Sequence, residues 1–185
     1  MTTPAAADLV RVLGSWRAPD DRLEQLRLEY LDLVDARGAA ALRRDGGPEH
    51  VTASCFLFSA DLRRTLLCFH RKGQFWVQTG GHLEPQDPTV EAAGLREASE
   101  EAGLGGLVAA PGVLDLDRHD LGAGFGLCRT HWDVGFAAVV DVDEPVLVSE
   151  ESEAVAWFAV DDLPVPLAGR VETRVVQLRD ALRPV

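Results

Sequence analysis

The segment TGGHLEPQDPTVEAAGLREASEEAGL, residues 79–104, decides the fold of this chain. It starts with two adjacent glycines, continues through a loop with two prolines, and ends in a helix-like run with three glutamates. Asp87 followed by Pro88 predicts the start of the helix, because Asp is a good N-cap residue and Pro suits the first turn. Gly103 predicts its end. We therefore expect a glycine-rich strand end followed by one helix over residues 87–102.

The three glutamates of this helix share one face. At about 100° per residue, Glu97, Glu100 and Glu101 fall within an arc of roughly 100°. Two carboxylates about 6 Å apart repel each other by roughly 3 kcal/mol at an effective dielectric of about 20. A divalent cation converts this repulsion into attraction, and Mg²⁺ joins protein carboxylates to substrate phosphates. Arg96 lies four residues before Glu100 and can hold its carboxylate, and a solvated acidic face without a ligand is the alternative.

The rest of the chain predicts a mixed α/β protein. Apolar residues at helical spacing predict helices over residues 5–16 and 18–38. Apolar runs predict strands over residues 51–58, 65–72, 75–81, 112–121, 131–142 and 154–160, and a closing helix covers residues 172–182. A Gly-Gly-Pro loop at residues 43–50 separates an N-terminal helical extension, residues 1–45, from a main domain, residues 46–185, and we expect the two to pack as one unit. The expected architecture is a mixed sheet between helices.

Composition and charge exclude several functional classes. The 185 residues, 46% of them hydrophobic and 26% charged, suit one soluble globular domain with a sizeable core. The formal net charge of −12 argues against binding to nucleic acid or anionic membranes by bulk electrostatics, although metal ions can still bridge an acidic protein to a polyphosphate. The sequence has no apolar run of membrane-spanning length and no signal-like N-terminus, so we expect a cytoplasmic protein. Cys55 and Cys68 lie in apolar runs and are expected to be buried free thiols.

Residues 81–104 resemble the signature of the Nudix hydrolases, which is a glycine, an acidic residue, and then R-E-U-x-E-E-x-G-U with U aliphatic. The matching residues are Gly81, Asp87, Arg96, Glu97, Ala98, Glu100, Glu101, Gly103 and Leu104. The wider resemblance extends from about His50 to Leu163, and the chain is similar to an actinobacterial-type subgroup with a GGHxE box and an N-terminal helical extension. Asp87 departs from the family pattern, because it replaces the usual glutamate and lies one residue farther from Arg96. We expect Asp87 to serve mainly as the helix N-cap.

The resemblance implies both a fold and a reaction. The fold would be a Nudix-like α/β/α sandwich, and the reaction would be hydrolysis of a nucleoside diphosphate linked to another moiety, with Mg²⁺ or Mn²⁺ as cofactor. In that scheme Glu100 and Glu101 are the main metal ligands, and the Gly80 carbonyl oxygen is another. Glu97 is either a further ligand or the general base, oriented by Arg96.

A glutamate on a later loop supplies the general base in some members of this family. Glu151 and Glu153, in the acidic segment 149–154, are the candidates here, and Glu151 is also a candidate metal ligand. A solvated acidic loop is the alternative interpretation.

Substrate-binding candidates lie on both sides of the signature, and they are Gly81, His82, His131, Asp133 and Trp76. His82 either approaches a phosphate or holds the loop by a hydrogen bond. His131 and Asp133 share one strand face by period-two alternation, and they either line a pocket or brace the strand. Trp76 either stacks on a base or packs in the core.

Two functions stay open at this point. A metal-dependent hydrolase is favoured because every carboxylate of the R-E-x-x-E-E set is present. The alternative is a non-catalytic Nudix-type ligand-binding or sensor module, which a decayed glutamate set or an appended DNA-binding domain would favour. An isoprenoid diphosphate isomerase would require a catalytic cysteine segment that the sequence lacks. The expected partner is a small nucleotide-type substrate, not a nucleic acid or a membrane, and a homodimer through the apolar N-terminal helices stays open.

Overall fold

A computed structural model of the protein describes residues 3–112, 115–122, 124, 126–148 and 152–183. These residues form a seven-stranded mixed sheet with helices packed on both faces. The helices are α1 (Pro4–Ser15), α2 (Asp21–Arg37), α3 (Val90–Ala102) and α4 (Val171–Leu182), with 3₁₀ turns at Gly38–Leu42 and Arg44–Gly46. The strands are β1 (Glu49–Ser59), β2 (Arg64–His70), β3 (Phe75–Val77), β4 (Thr79–His82), β5 (Asp115–Asp120), β6 (Thr130–Val140) and β7 (Ser152–Ala159). The predicted α/β/α architecture is confirmed.

Strand β1 organises the sheet. It pairs in parallel with β6 over its whole length, and β5 extends the sheet on the far side of β6. The other edge of β1 is shared between two strands, since β4 pairs with residues 52–55 and β2 pairs at Phe58. The ends of β4, β1 and β6 consequently lie side by side, although they are far apart in sequence.

The two faces of β1 are buried in different surroundings. One face carries apolar side chains that pack with α1, α2 and α3, and they are Val51, Ala53, Cys55 and Leu57. The opposite face ends in Phe56 and Phe58, which pack under α4. Its first half is polar, with His50, Thr52 and Ser54 at alternating positions, all buried. A strand with both faces covered by protein is expected to be apolar on both faces. The polar first half of this face is therefore not part of the hydrophobic core.

The N-terminal helices share the core of the sheet. Leu9 and Leu13 of α1, and Leu23 and Tyr30 of α2, belong to the same buried cluster as β1 and α3. The Tyr30 hydroxyl hydrogen-bonds to the main-chain oxygens of Asp117 (2.9 Å) and Asp133 (2.7 Å). The segments 1–45 and 46–185 are therefore joined by one hydrophobic core and by hydrogen bonds, while the boundary between them stays a prediction.

The start of α3 differs from the prediction. Thr89 is the N-cap, and its side chain accepts a hydrogen bond from the Ala92 amide at 3.0 Å. The prediction that Asp87 caps this helix is therefore wrong. Both residue types are good caps, and Thr89 is the one next to the first helical residue. Asp87 is buried and accepts a hydrogen bond from the Glu84 amide at 2.7 Å.

The strand predicted over residues 75–81 is divided into β3 and β4. β3 pairs with β2, whereas β4 pairs with β1, so the chain changes partner at Gln78. The Gln78 side-chain amide is buried and donates to the Ser54 hydroxyl at 3.3 Å. Hydrophobic periodicity does not record a change of partner, which explains why the two strands were predicted as one.

The cysteines are free, and Cys55 and Cys68 are buried as predicted. Burial raises the pKa of the Cys55 thiol to about 12, so this group is an inert part of the core. Within the described part of the chain, none of the helices combines the length and the apolar character needed to cross a bilayer.

Candidate active site

Helix α3 lies directly over β1 and β4. A Cβ atom at Gly94 would lie only 3.2 Å from the Ser54 carbonyl oxygen, which is closer than ordinary van der Waals contact. Glycine at this position therefore lets the helix pack close to the strand. This approach places Glu97 and Glu101 against the two glycines of β4. Glu101 is 8% exposed, and its carboxylate accepts a hydrogen bond from the Gly80 amide at 2.9 Å.

Each glycine of the pair faces a close neighbour, which is β1 for Gly80 and Glu97 for Gly81. A Cβ atom at Gly81 would lie 2.6 Å from the carboxylate carbon of Glu97, which is far inside van der Waals contact. Gly80 has a φ of 155°, a conformation that favours glycine. Glu97 and Glu101 are thus in direct contact with the backbone of β4.

Arg96 connects the helix to the preceding loop. Its Nε and Nη2 atoms donate to the two carboxylate oxygens of Asp87, at 3.1 and 3.0 Å, and Nη2 also donates to the His82 carbonyl oxygen at 3.0 Å. Its Nη1 atom donates to Glu97 at 3.0 Å and to Glu100 at 3.1 Å. The hydrogen bond to Asp87 and then the charge of Glu97 raise the pKa of Arg96. This arginine therefore orients Glu97, and Glu100 as well, and it fixes the loop.

The acidic face of α3 fits a divalent cation. Glu97, Glu100 and Glu101 supply carboxylate oxygens, which hard cations such as Mg²⁺ and Mn²⁺ prefer. Glu101 is buried, Glu97 is partly buried, and the Glu100 side chain is 59% exposed, so the set extends from the protein interior to solvent. The Glu97 carboxylate lies where a Cβ atom on residue 81 would be, directly against the backbone of β4.

A cavity of about 580 Å³ lies next to this face. Its size is within the range of small-molecule sites. Glu101, Gly80, Gly81 and His82 line one part of it. Basic side chains line other parts, and they are Arg44, Arg71, Lys72, Arg170 and the buried Arg174. Carboxylates line the cavity as well, namely Glu101, Asp117, Asp120 and Asp133, so the site combines acidic groups that suit a cation with exposed basic groups that suit an anion.

Asp133 lies in the wall of the cavity and also in a buried ion-pair network. It accepts hydrogen bonds from Thr52 (3.0 Å), from Ser54, and from Arg174 (2.7 Å). Arg174 pairs in addition with Asp115 at 2.6 Å. Burial alone would raise the pKa of Asp133, but the Arg174 charge and these hydrogen bonds outweigh it, so the net shift is downward. Asp133 is ionised and rigidly held.

His82, His131 and Cys128 line the cavity, and the His50 ring packs against both histidine rings. Sequence reasoning did not single out His50 or Cys128 as ligands. The ring centroids of His50, His82 and His131 lie 5.0–5.1 Å apart, and Cys128 lies beside them. The sequence does contain a signal for His50. At alternating positions on one face of an otherwise apolar strand, it has the polar residues His50, Thr52 and Ser54.

Two other candidates, Trp76 and Glu153, are not among the described residues that line the cavity. The Trp76 ring packs edge-on against Phe69 and Phe158, with centroids 5.2 and 4.7 Å away. Glu153 is exposed and accepts a hydrogen bond from Gln74 at 3.1 Å. Glu151 lies outside the described residues.

Several solved structures share this fold. A NUDIX family hydrolase from Clostridium perfringens has a TM-score of 0.60 and 22% identity, over 72% of this chain and 98% of its own. An Ap4A hydrolase from C. elegans has a TM-score of 0.59 and 16% identity, over 71% and 96%. The NUDIX domain of Shewanella oneidensis NrtR, solved in complex with ADP ribose, has a TM-score of 0.58 and 19% identity, over 72% and 88%. At these identities the likeness shows the fold.

The family follows from the sequence itself. No protein of curated function matches the chain in sequence. The family model described as NUDIX domain matches residues 48–178, which is more than half of the chain. This match contains β1, the glycine pair of β4 and the whole of α3 with its arginine and glutamates. The chain therefore belongs to the Nudix hydrolase family.

Proposed function

We propose that this protein hydrolyses the diphosphate bond of a nucleoside diphosphate linked to another moiety, with Mg²⁺ or Mn²⁺ as cofactor. The proposal is supported by the position of acidic and basic side chains in one cavity. The cavity that contains Glu101 and the glycine pair also contains four basic side chains near the surface and one buried arginine. Carboxylates suit the cation, and basic groups suit the phosphates that the cation would contact.

Each residue of the α3 face has a distinct role in this proposal. Glu100 and Glu101 would hold the cation, together with the Gly80 carbonyl oxygen. When bound, the cation would withdraw charge from the phosphoryl oxygens and lower the pKa of water. Glu97 either contributes to the cation site or accepts the proton of the attacking water. Arg96 supports both roles, because its hydrogen bond at 3.0 Å orients the Glu97 carboxylate.

The remaining walls of the cavity would bind the substrate. Arg71 and Lys72 follow β2 and would pair with phosphate oxygens. Gly81 would let the phosphate chain approach the backbone of β4. His82, His131 and Asp133 lie on the wall that would contact the rest of the substrate. A stacking role for Trp76 stays a prediction, as do a role for Glu151, the homodimer and the cytoplasmic location.

A substrate panel tests the proposal. The panel compares nucleoside triphosphates, ADP-ribose, NADH, dinucleoside polyphosphates, nucleotide sugars and coenzyme A, with Mg²⁺ and with Mn²⁺. Released phosphate or nucleotide is measured with and without a chelator. We expect cation-dependent turnover of at least one class that contains a diphosphate bond. Tight binding of one compound without turnover would instead support the sensor module.

A further inference from the structure

Three histidines from three neighbouring strands converge at one end of the sheet. His50 lies at the start of β1, His131 lies opposite it at the start of β6, and His82 ends β4. The ring centroids form a nearly equilateral triangle with sides of 5.0, 5.1 and 5.1 Å. All three side chains therefore share one face of the sheet and one small volume.

The Nε2 atoms of these histidines are buried and have no hydrogen-bond partner among the residues that the structure describes. His50 itself is fully buried. Its Nδ1 atom lies 3.3 Å from the Gly47 carbonyl oxygen, which can only accept a hydrogen bond. Nδ1 therefore carries the proton, and Nε2 carries a lone pair. Buried polar atoms without a partner are rare, so three of them in one place point to a ligand.

Burial of the Nε2 atoms favours the neutral form of these imidazoles. Neutral imidazole is the form that binds metal ions, because a protonated ring has no lone pair to donate.

Cys128 completes a set of four donors. Its side chain is buried, and the ligand atoms of Cys128 and the three histidines all lie within 4.8 Å of one another. Zn–N and Zn–S bonds of about 2.0 to 2.3 Å place the ligand atoms of a tetrahedral site roughly 3.4 Å apart. Small side-chain rotations therefore close the set around an ion. The connection that carries Cys128 is held near β1 by the Arg129 amide, which donates to the Pro48 carbonyl oxygen at 2.8 Å.

We propose that His50, His82, Cys128 and His131 bind one zinc ion in a four-coordinate site. Three imidazoles and a thiolate are the donors that zinc prefers, whereas the glutamates of α3 offer the oxygen donors of a hard cation. The two sites therefore select different metals. The zinc ion would tie β1, β4 and β6 to the connection between β5 and β6, and it would stiffen the cavity wall that includes His82.

Cobalt substitution tests the site through its colour. The full chain is treated with a chelator and titrated with Co²⁺, which reports a thiolate ligand by near-ultraviolet charge transfer and a tetrahedral site by intense visible bands. We expect both signals to saturate at one equivalent and to disappear when Zn²⁺ is added. Absence of the thiolate band in the wild-type protein would overturn the proposal whatever the variants show.

Matched variants locate the ligands. Cys128→Ser should lose the thiolate band, while Cys68→Ala, which removes a buried thiol elsewhere, should keep it. Glu101→Gln should also keep both signals, since this site does not depend on the proposed hydrolytic site. His82→Gln should lose the intense visible bands of the four-coordinate ion. A thiolate band that persists in Cys128→Ser, or that is lost in Cys68→Ala, would refute the assignment.

Zn²⁺-dependent thermal stability gives a second readout. Zn²⁺ should raise the unfolding midpoint of the wild-type protein and of Cys68→Ala, because an ion that binds only the native state stabilises it. The shift should be lost in Cys128→Ser and in His82→Gln. An equal shift in all four proteins would contradict the site.

Discussion

At the scale of single residues, Gly81 shows how a missing side chain positions a functional one. The Glu97 carboxylate occupies the space that a Cβ atom on residue 81 would need, at 2.6 Å. The same contact explains why the chain has glycine next to the glutamate face. Backbone strain is not the reason at this position, since Gly81 has an ordinary φ.

Gly81→Ala should therefore displace Glu97 and leave the rest of the fold in place. A misplacement of about 1 Å in a catalytic group lowers turnover on the order of 100-fold, and we expect a loss of that size in kcat on the best substrate. Gly105→Ala is the matched control, because a Cβ atom there meets nothing within 4 Å. Equal activity of the two variants would show that the close contact has no catalytic consequence.

At the scale of elements, two different residues near the start of α3 cap the helix and hold Arg96 in place. Thr89 caps the helix, while Asp87 pairs with Arg96. Thr89→Ala should lower the free energy of unfolding by about 1 kcal/mol without a change in kcat.

Asp87→Asn should affect kcat more strongly than Thr89→Ala does. It should lower kcat because Arg96 loses a charged, two-point partner, and denaturant titration together with steady-state kinetics measures both quantities for each variant. A larger kcat loss in Thr89→Ala than in Asp87→Asn would reverse the assignment.

Tyr30, buried between α2 and the sheet, should make the free energy of unfolding depend on pH. Burial, and then the charge of Asp133, raise the pKa of Tyr30 well above its ordinary value. Above about pH 10 the unfolded chain loses the phenolic proton and the folded protein keeps it, so the stability falls as the pH rises. Tyr30 is the single tyrosine of the chain, so its ionisation can be followed by tyrosinate absorbance.

Tyr30→Phe should abolish the tyrosine contribution to this alkaline loss. At neutral pH it should lower the free energy of unfolding by about 1–3 kcal/mol, because two buried carbonyl oxygens lose their partner. Denaturant titrations at neutral and alkaline pH measure both effects. An unchanged alkaline slope in the variant would mean that Tyr30 is not the group responsible.

At the scale of the whole molecule, the N-terminal helices belong to the same hydrophobic core as β1 and α3. Leu13 of α1 is fully buried in the cluster that includes β1 and α3. Leu13→Ala should lower the free energy of global unfolding by about 2–5 kcal/mol, and the unfolding transition should stay single. Val10→Ala is the control, because Val10 on the same helix is 43% exposed. A separate early transition, with the main transition unmoved, would instead identify residues 1–45 as an independent unit.

The parts of the molecule that depend on local spacing could be predicted from the sequence. The glutamate face of α3 and the two glycines are of this kind, as are most of the strands. The cluster of His50 with His131 depends on the register of β1 against β6, which no local pattern contains. The pairing of Arg174 with Asp115 and Asp133 depends on the packing of α4 against the sheet, which is equally absent from any local pattern. The wrong N-cap arose differently, because Asp87 and Thr89 are both good caps two residues apart.

The kcat of Glu101→Gln on the best substrate at saturating Mg²⁺ shows whether Glu101 belongs to a hydrolytic cation site. The substitution keeps the side-chain volume and removes the charge. We predict that kcat falls by at least about 100-fold, while Glu144→Gln, on an exposed loop, keeps the wild-type value. Wild-type turnover in Glu101→Gln would contradict the account.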